Sequence, residues 1–117
     1  MPQHILLAEP DPGMRRTLLR LFRPLGFQVS AAANAAAVET MLGAGDAAVD
    51  VLVLADRLPG AAPVALADRV SARHGVPVLL LVDAERPEEP GHRCVAKPFN
   101  LADLLDAVQD TMLARVS

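Results

Sequence analysis

The chain has 117 residues, a net charge of −3 and 52 % hydrophobic residues, enough for one domain with an ordinary buried core. Its mildly acidic balance with scattered arginines gives no reason to expect nucleic-acid binding, and no apolar run approaches the ~20 residues that cross a membrane. The single cysteine, Cys94, excludes an internal disulfide and favours the reducing cytoplasm. With only three Phe and no Trp or Tyr, the core must be aliphatic.

Short apolar runs alternate with amphipathic segments along the chain, which predicts strands alternating with helices in one domain over residues 1–117. Asp11, Asn34 and Asn100 each stand just before a helical pattern and are typical helix N-caps. The predicted elements are, in chain order, strand 5–8, a helix from Asp11 to Gly26, strand 27–31, helix 34–42, strand 51–55, helix 63–74, strand 77–82, strand 93–96 and a last helix from Asn100.

One helix of this alternation is missing. Residues 83–92, between the fourth and fifth predicted strands, contain Pro87, Pro90 and four acidic residues. This segment is too short and too rich in proline for an ordinary helix, so we expect a solvated turn or irregular loop. The pattern predicts an α/β fold, a doubly wound parallel sheet of five strands with helices on both faces and the fourth helix missing or reduced to a loop.

In such a sheet, ligands bind where the carboxyl ends of the strands meet. Phosphoryl transfer to a carboxylate at that edge requires an aspartate nucleophile beside a Mg²⁺ ion held by oxygen ligands. A hydroxyl and a lysine would neutralise the transferred group. The predicted strand ends carry Glu9, Asp11, Ala55, Asp56, Val82, Asp83 and Lys97.

Four short segments together resemble the receiver domains of bacterial response regulators, and the resemblance covers nearly the whole chain. The segments are Glu9–Asp11, Leu58–Gly60, Val76–Val78 and Lys97–Phe99. The resemblance implies a flavodoxin-like sheet with strand order 2-1-3-4-5 and a role in two-component or phosphorelay signal transduction.

The same resemblance implies that most functional positions have lost their side chains. In the family, the phospho-accepting aspartate stands four residues before the loop proline, here Pro59. Four family positions are altered: the acceptor is Ala55, the direct metal ligand is Pro10, the hydroxyl residue is Val82 and the aromatic switch residue is Cys94. Glu9 and Lys97 survive, and the family implies a cis bond between Lys97 and Pro98.

These losses predict a pseudo-receiver, a non-enzymatic protein-interaction domain that acts independently of phosphorylation. Its expected partners are a histidine kinase, a phosphotransfer protein or an output protein, with a homodimer through the fifth strand and last helix as a further prediction. No cofactor is expected, and Mg²⁺ would bind only weakly, at Glu9 and Asp11. No nucleic-acid-binding segment follows the last predicted helix, so a direct role in transcription is not expected.

Asp56 is the only candidate phospho-acceptor, and it supports an alternative function. Successive strand residues point to opposite faces, so Asp56 replaces Ala55 only if a bulge re-aims it. A receiver with such a rearranged site, including retained Lys97, would catalyse its own phosphorylation. A third alternative is an unrelated small-ligand α/β module, against which the retained Lys97–Pro98 and Pro59–Gly60 pairs argue.

Several of these residues also have purely structural interpretations. Asp11 is an ordinary helix N-cap rather than a metal ligand, and Lys97 forms an ion pair with Glu9, Asp11 or Asp56. Cys94 is a small buried hydrophobic residue of the fifth strand. The three histidines, His4, His74 and His92, are scattered and predict surface positions.

Overall fold

The computed structural model describes residues 3–44, 48–83, 92–97 and 99–114. Its strands are β1 His4–Ala8, β2 Gln28–Ala32, β3 Val51–Ala55, β4 Val78–Asp83 and β5 Arg93–Lys97. Its helices are α1 Pro12–Phe22, α2 Ala35–Ala44, α3 Pro63–His74 and α4 Leu101–Ala114, with a turn of 3-10 helix at Arg23–Leu25. The elements therefore follow the predicted order, and their ends agree with the prediction within two residues except at α1, which ends at Phe22 and passes into the 3-10 turn before Gly26.

All five strands pair in parallel in the order β2-β1-β3-β4-β5. This confirms the predicted doubly wound, flavodoxin-like sheet, in which the strand order reverses beside β1. Four α-helices in the described residues fit a fourth receiver helix that is missing or reduced. The loop predicted between β4 and β5 falls largely on residues 84–91, outside the described residues.

The sheet divides the core into two aliphatic layers. Leu52 and Leu54 of β3 point to one side, with the buried residues of α2 and α3, and we call this side the α2–α3 layer. Val51 and Val53 point to the other side, with the buried residues of α1 and α4, and we call it the α1–α4 layer. Every residue of β3 is buried, as expected for a central parallel strand covered on both faces.

Side-chain caps start the helices where the sequence predicts them. The Asn34 side chain accepts a hydrogen bond from the backbone N–H of Ala37 at 2.8 Å, and Asn100 accepts one from Asp103 at 2.8 Å. Gly75 ends α3 with a φ of 63°, in the left-handed region that favours glycine. No helix of the described chain combines the length and apolar character needed to span a lipid bilayer.

The prediction that the histidines lie at the surface is wrong for His4. This residue begins β1, a central strand, and is 5 % exposed. Its Nε2 lies 2.8 Å from the Ser30 hydroxyl, and its backbone N–H donates to Asp50 Oδ2 at 2.8 Å. The His92 side chain is also largely buried, with Nε2 2.6 Å from Asp68 Oδ1. His4 is buried where β1 pairs with β2, and His92 is buried where it contacts α3. The local sequence shows neither contact.

Candidate functional site

The strand register brings the predicted site residues to one edge of the sheet. Residues near the carboxyl ends of adjacent strands are paired as Ala8 with Leu54, Ala55 with Leu81 and Asp83 with Lys97. The backbone N–H of Asp56 donates to the Leu81 carbonyl at 3.1 Å, so the ladder continues one residue past β3. The edge is therefore formed as the sequence predicts, and its chemistry depends on the side chains that reach it.

Ala55 occupies the position where the resemblance expects the acceptor carboxylate. One residue near the end of each of three strands points into the α1–α4 layer: Leu7, Val53 and Val95. Two residues further along, strand alternation brings Glu9, Ala55 and Lys97 to that same side. Ala55 is 2 % exposed and ends in a methyl group, so the acceptor position offers neither a nucleophile nor a metal ligand.

Asp56 follows in the turn after β3, and its carboxyl group does not extend into solvent. The residue is 6 % exposed. Burial is the main cause that raises the pKa of Glu9, and the negative charge of Asp56 adds to it, so the two carboxyl groups interact electrostatically. The site therefore contains a buried carboxylate one residue after the family's acceptor position.

Glu9 is more deeply buried than Asp11 and Asp56. It is 4 % exposed, Oε1 accepts the backbone N–H of Asp11 at 3.4 Å, and Oε2 has no hydrogen-bond partner among the described residues. Burial raises the pKa of Glu9, and the nearby charges of Asp11 and Asp56 raise it further. The positive charge of Lys97 and the Asp11 N–H act in the opposite direction, so Lys97 interacts electrostatically with Glu9.

Asp11 is a helix N-cap. Its two carboxylate oxygens accept the backbone N–H groups of Gly13 at 3.3 Å and Met14 at 3.2 Å. Its backbone is extended, with φ −76° and ψ 117°, as expected for the residue before a helix. This confirms the capping interpretation, and both carboxylate oxygens of Asp11 are already hydrogen-bonded to the first turn of α1.

Arg15 occupies the same turn, and sequence reasoning did not identify it. Its Nη1 donates to the Glu9 carbonyl at 2.8 Å and to the Pro10 carbonyl at 3.4 Å. A guanidinium group therefore binds the backbone oxygens that would otherwise be free to bind a cation. The available signal was an arginine one turn into the helix that follows an acidic loop, since such a side chain reaches back over the helix N-terminus.

These contacts do not fit a magnesium site. Mg²⁺ prefers octahedral oxygen coordination with one or two carboxylates. Here the Pro10 side chain has no donor atom, Asp11 caps a helix, and Arg15 donates to the backbone carbonyls of Glu9 and Pro10. The described part of the chain contains no cluster of three Asp, Glu, His or Cys side chains that could hold a metal ion.

The two positions that would transmit phosphorylation are apolar. Val82 is 5 % exposed and belongs to the α2–α3 layer. Cys94 is half-buried against the same layer, and its thiol donates to the His92 carbonyl at 3.7 Å. Neither side chain replaces the hydroxyl or aromatic group of the family. The bond from Lys97 to Pro98 and the Asp83 side chain fall outside the described residues.

We predict that Glu9→Gln stabilises the protein by about 1 kcal/mol at neutral pH, within the cost of an unsatisfied buried polar group. A raised pKa means that the folded state favours protonated Glu9. Its contribution to stability is complete below the unfolded value of 4.5 and is lost as pH rises through the folded pKa. The advantage of the glutamine should therefore be present near pH 8 and disappear in acid.

Urea unfolding of both proteins across this pH range measures the effect. Glu39→Gln is the matched control, because Glu39 pairs with Arg69 at 2.9 Å and Arg73 at 3.6 Å and should lose stability when neutralised. A stability difference for Glu9→Gln that does not change with pH would show that ionisation of the buried Glu9 is not its cause.

Comparison with known proteins agrees with this fold. No family model matches the chain. Transcriptional activator protein PfeR of Pseudomonas aeruginosa is 34 % identical over 119 residues, a match that covers 96 % of this chain but only 38 % of that protein.

Solved structures resemble the chain over almost its full length. The signal receiver domain of an HD domain-containing protein from Pseudomonas fluorescens matches with a TM-score of 0.88 and 21 % identity, covering 99 % of this chain and 98 % of that one. The receiver domain of a Pseudomonas aeruginosa sensor histidine kinase, with magnesium in its active-site cleft, matches with a TM-score of 0.77 and 23 % identity, covering 96 % and 98 %. The chain therefore has the receiver-domain fold found in two-component response regulators.

Proposed function

We propose that residues 1–117 form a pseudo-receiver of two-component signalling, a non-enzymatic module that binds a partner protein without being phosphorylated. The observation that carries this proposal is the register at the end of β3. Ala55 pairs with Leu81 and is 2 % exposed, so an alanine methyl occupies the acceptor position on the side of the sheet shared by Glu9 and Lys97.

The other positions support the same conclusion. Glu9 has a buried, unpartnered oxygen and a pKa raised by burial, while Arg15 binds the backbone carbonyls of the acidic turn. Val82 and Cys94 supply apolar packing in place of a hydroxyl and an aromatic ring. A receiver that worked by phosphorylation would need the acceptor, the metal site and the switch side chains together.

The surface formed by β5 and α4 is the proposed partner face. β5 is the outer strand of the sheet, and a groove of about 440 Å³ separates it from α4. Leu101 and Leu113, near the two ends of α4, are 54 % and 65 % exposed. The proposed occupants are a histidine kinase, a phosphotransfer protein, an output protein or a second copy of the chain, since an outer strand with an adjoining groove can accept a protein segment.

The predicted result of a phosphorylation assay is no change in mass. We expect the intact mass of the protein to stay the same after incubation with acetyl phosphate and Mg²⁺, because Ala55 cannot accept a phosphoryl group. Intact-protein mass spectrometry measures this directly, with a conventional receiver domain as the positive control. A gain of one phosphoryl group that disappears in Asp56→Ala would overturn the proposal.

One observation favours the alternative in which Asp56 accepts the phosphoryl group. Its carboxyl group is buried near Glu9 instead of projecting into solvent. The same burial argues against the alternative, because an aspartate that is 6 % exposed is hard for a phosphodonor to reach. Asp56 also lies one residue past the strand position that faces the α1–α4 layer.

The relative PfeR is named as a transcriptional activator, but this chain spans only 38 % of its length. We propose for this chain only the receiver role that its fold suggests, together with a cytoplasmic location, which a free cysteine fits.

A further inference from the structure

Two exposed stripes of opposite charge lie on the helical surface, one on α4 and the other on α1 and the 3-10 turn that follows it. The acidic stripe consists of Asp103, Asp106 and Asp110, which line the groove between α4 and β5. The arginine stripe consists of Arg16, Arg20 and Arg23, which line a second cleft of about 340 Å³ with Leu19 and Pro24. Both sets recur at three- and four-residue intervals and so lie along one side of their helices.

The six charged residues of the two stripes are all exposed. Across the described ranges, no ion pair joins any of the six side chains to another residue. Other charged residues do have partners, such as Glu39 with Arg69 and Arg15 with the carbonyl of Glu9. The six charges are thus available to pair with charges on another molecule.

The fold keeps the two stripes apart within one chain. Both helices cover the same face of the sheet, but α1 lies beside β2 while α4 lies beside β5. β2 and β5 are the opposite edges of the sheet. The first and last residues of each stripe are seven positions apart, about 10 Å along a helix, so the two stripes are equal in length and opposite in charge.

We propose that the acidic stripe of one copy of this chain docks against the arginine stripe of a second copy. This inference rests on the proposed function, because it supplies an occupant for the β5–α4 face. A symmetric dimer through that face would bring two acidic stripes together, with Arg93 and His92 lining each groove beside three aspartates. Pairing α4 with α1 replaces this repulsion by attraction and gives a head-to-tail contact that can repeat from copy to copy.

The contact should be weak and sensitive to salt. Exposed ion pairs each contribute little, and the Debye length falls from about 10 Å at 0.1 M salt to about 3 Å at 1 M. We therefore expect wild-type protein at low salt to show an average mass that rises with concentration beyond that of a dimer. The same protein at high salt should be monomeric.

Two neutralised variants test the pairing. One carries Asp103→Asn, Asp106→Asn and Asp110→Asn, and the other carries Arg16→Gln, Arg20→Gln and Arg23→Gln. Each retains one competent stripe, so each alone should be monomeric at low salt, while an equal mixture should form a one-to-one heterodimer and nothing larger. Sedimentation velocity measures the masses, and circular dichroism checks that both variants fold.

A third variant separates charge pairing from loss of structure. Reversing both stripes in one chain, with Asp→Lys throughout the acidic stripe and Arg→Glu throughout the arginine stripe, should restore self-association. The inference is overturned if folded wild-type protein is monomeric at low salt, if the arginine-neutralised variant still dimerises, or if the mixed variants do not pair. These failures are distinguishable from failure of the proposed function, which is read independently as a gain in mass from the phosphodonor.

Discussion

Replacing Leu54 with alanine is expected to lower the free energy of unfolding by about 3–4 kcal/mol, as for other fully buried leucines. Leu54 is 0 % exposed in the α2–α3 layer. Its strand lies between β1 and β4, where Leu54 pairs with Ala8 on one side and Leu80 on the other. Hydrogen-bonded strands on both sides hold the surrounding backbone, so the cavity cannot close by local collapse.

Urea unfolding followed by circular dichroism measures this loss. Leu113→Ala is the matched control, because the same atoms are removed from a side chain that is 65 % exposed on α4. The control should change stability by less than about 0.5 kcal/mol, as expected for a surface substitution. If Leu54→Ala cost no more than the control, β3 would not be the centre of the core.

The sequence predicted the fold well because its local signals agree with its tertiary packing. The run Val51–Ala55 is apolar throughout and becomes a central strand buried on both faces. Asn34 and Asn100 cap the helices that they were expected to start. The ends of the strands were less predictable, since pairing of Gln28 with His4 decides where β2 begins.

The sequence predicted the composition of the candidate site but not its contacts. The replacement of expected functional groups at Ala55, Val82 and Cys94 is visible in the chain itself. The burial of Asp56 depends on the turn after β3, and the contact between Arg15 and the Glu9 carbonyl depends on how α1 is oriented. These contacts join separate elements, so no periodic pattern in the sequence encodes them.

Restoring the missing carboxylate should be costly in this chain. We expect Ala55→Asp to lower the free energy of unfolding by about 3 kcal/mol at neutral pH, the scale reported for an uncompensated buried charge. Ala55 is 2 % exposed, and Glu9 already has a pKa raised by burial and by its acidic neighbours. A further carboxyl group on this edge would add to the repulsion among Glu9, Asp11 and Asp56.

Ala55→Asn is the matched control, because asparagine has nearly the same shape as aspartate without its charge. The difference in stability between the two variants should grow as pH rises through the range in which the new aspartate ionises, and it should vanish in acid. Adding Pro10→Asp should make the Ala55→Asp variant more stable in Mg²⁺ than in EDTA, because a metal that binds only the folded state stabilises it. Wild-type protein should show no such difference. If Ala55→Asp were as stable as Ala55→Asn near pH 8, the edge would tolerate an acceptor carboxylate, and repulsion among its acids could not explain why alanine is accommodated there.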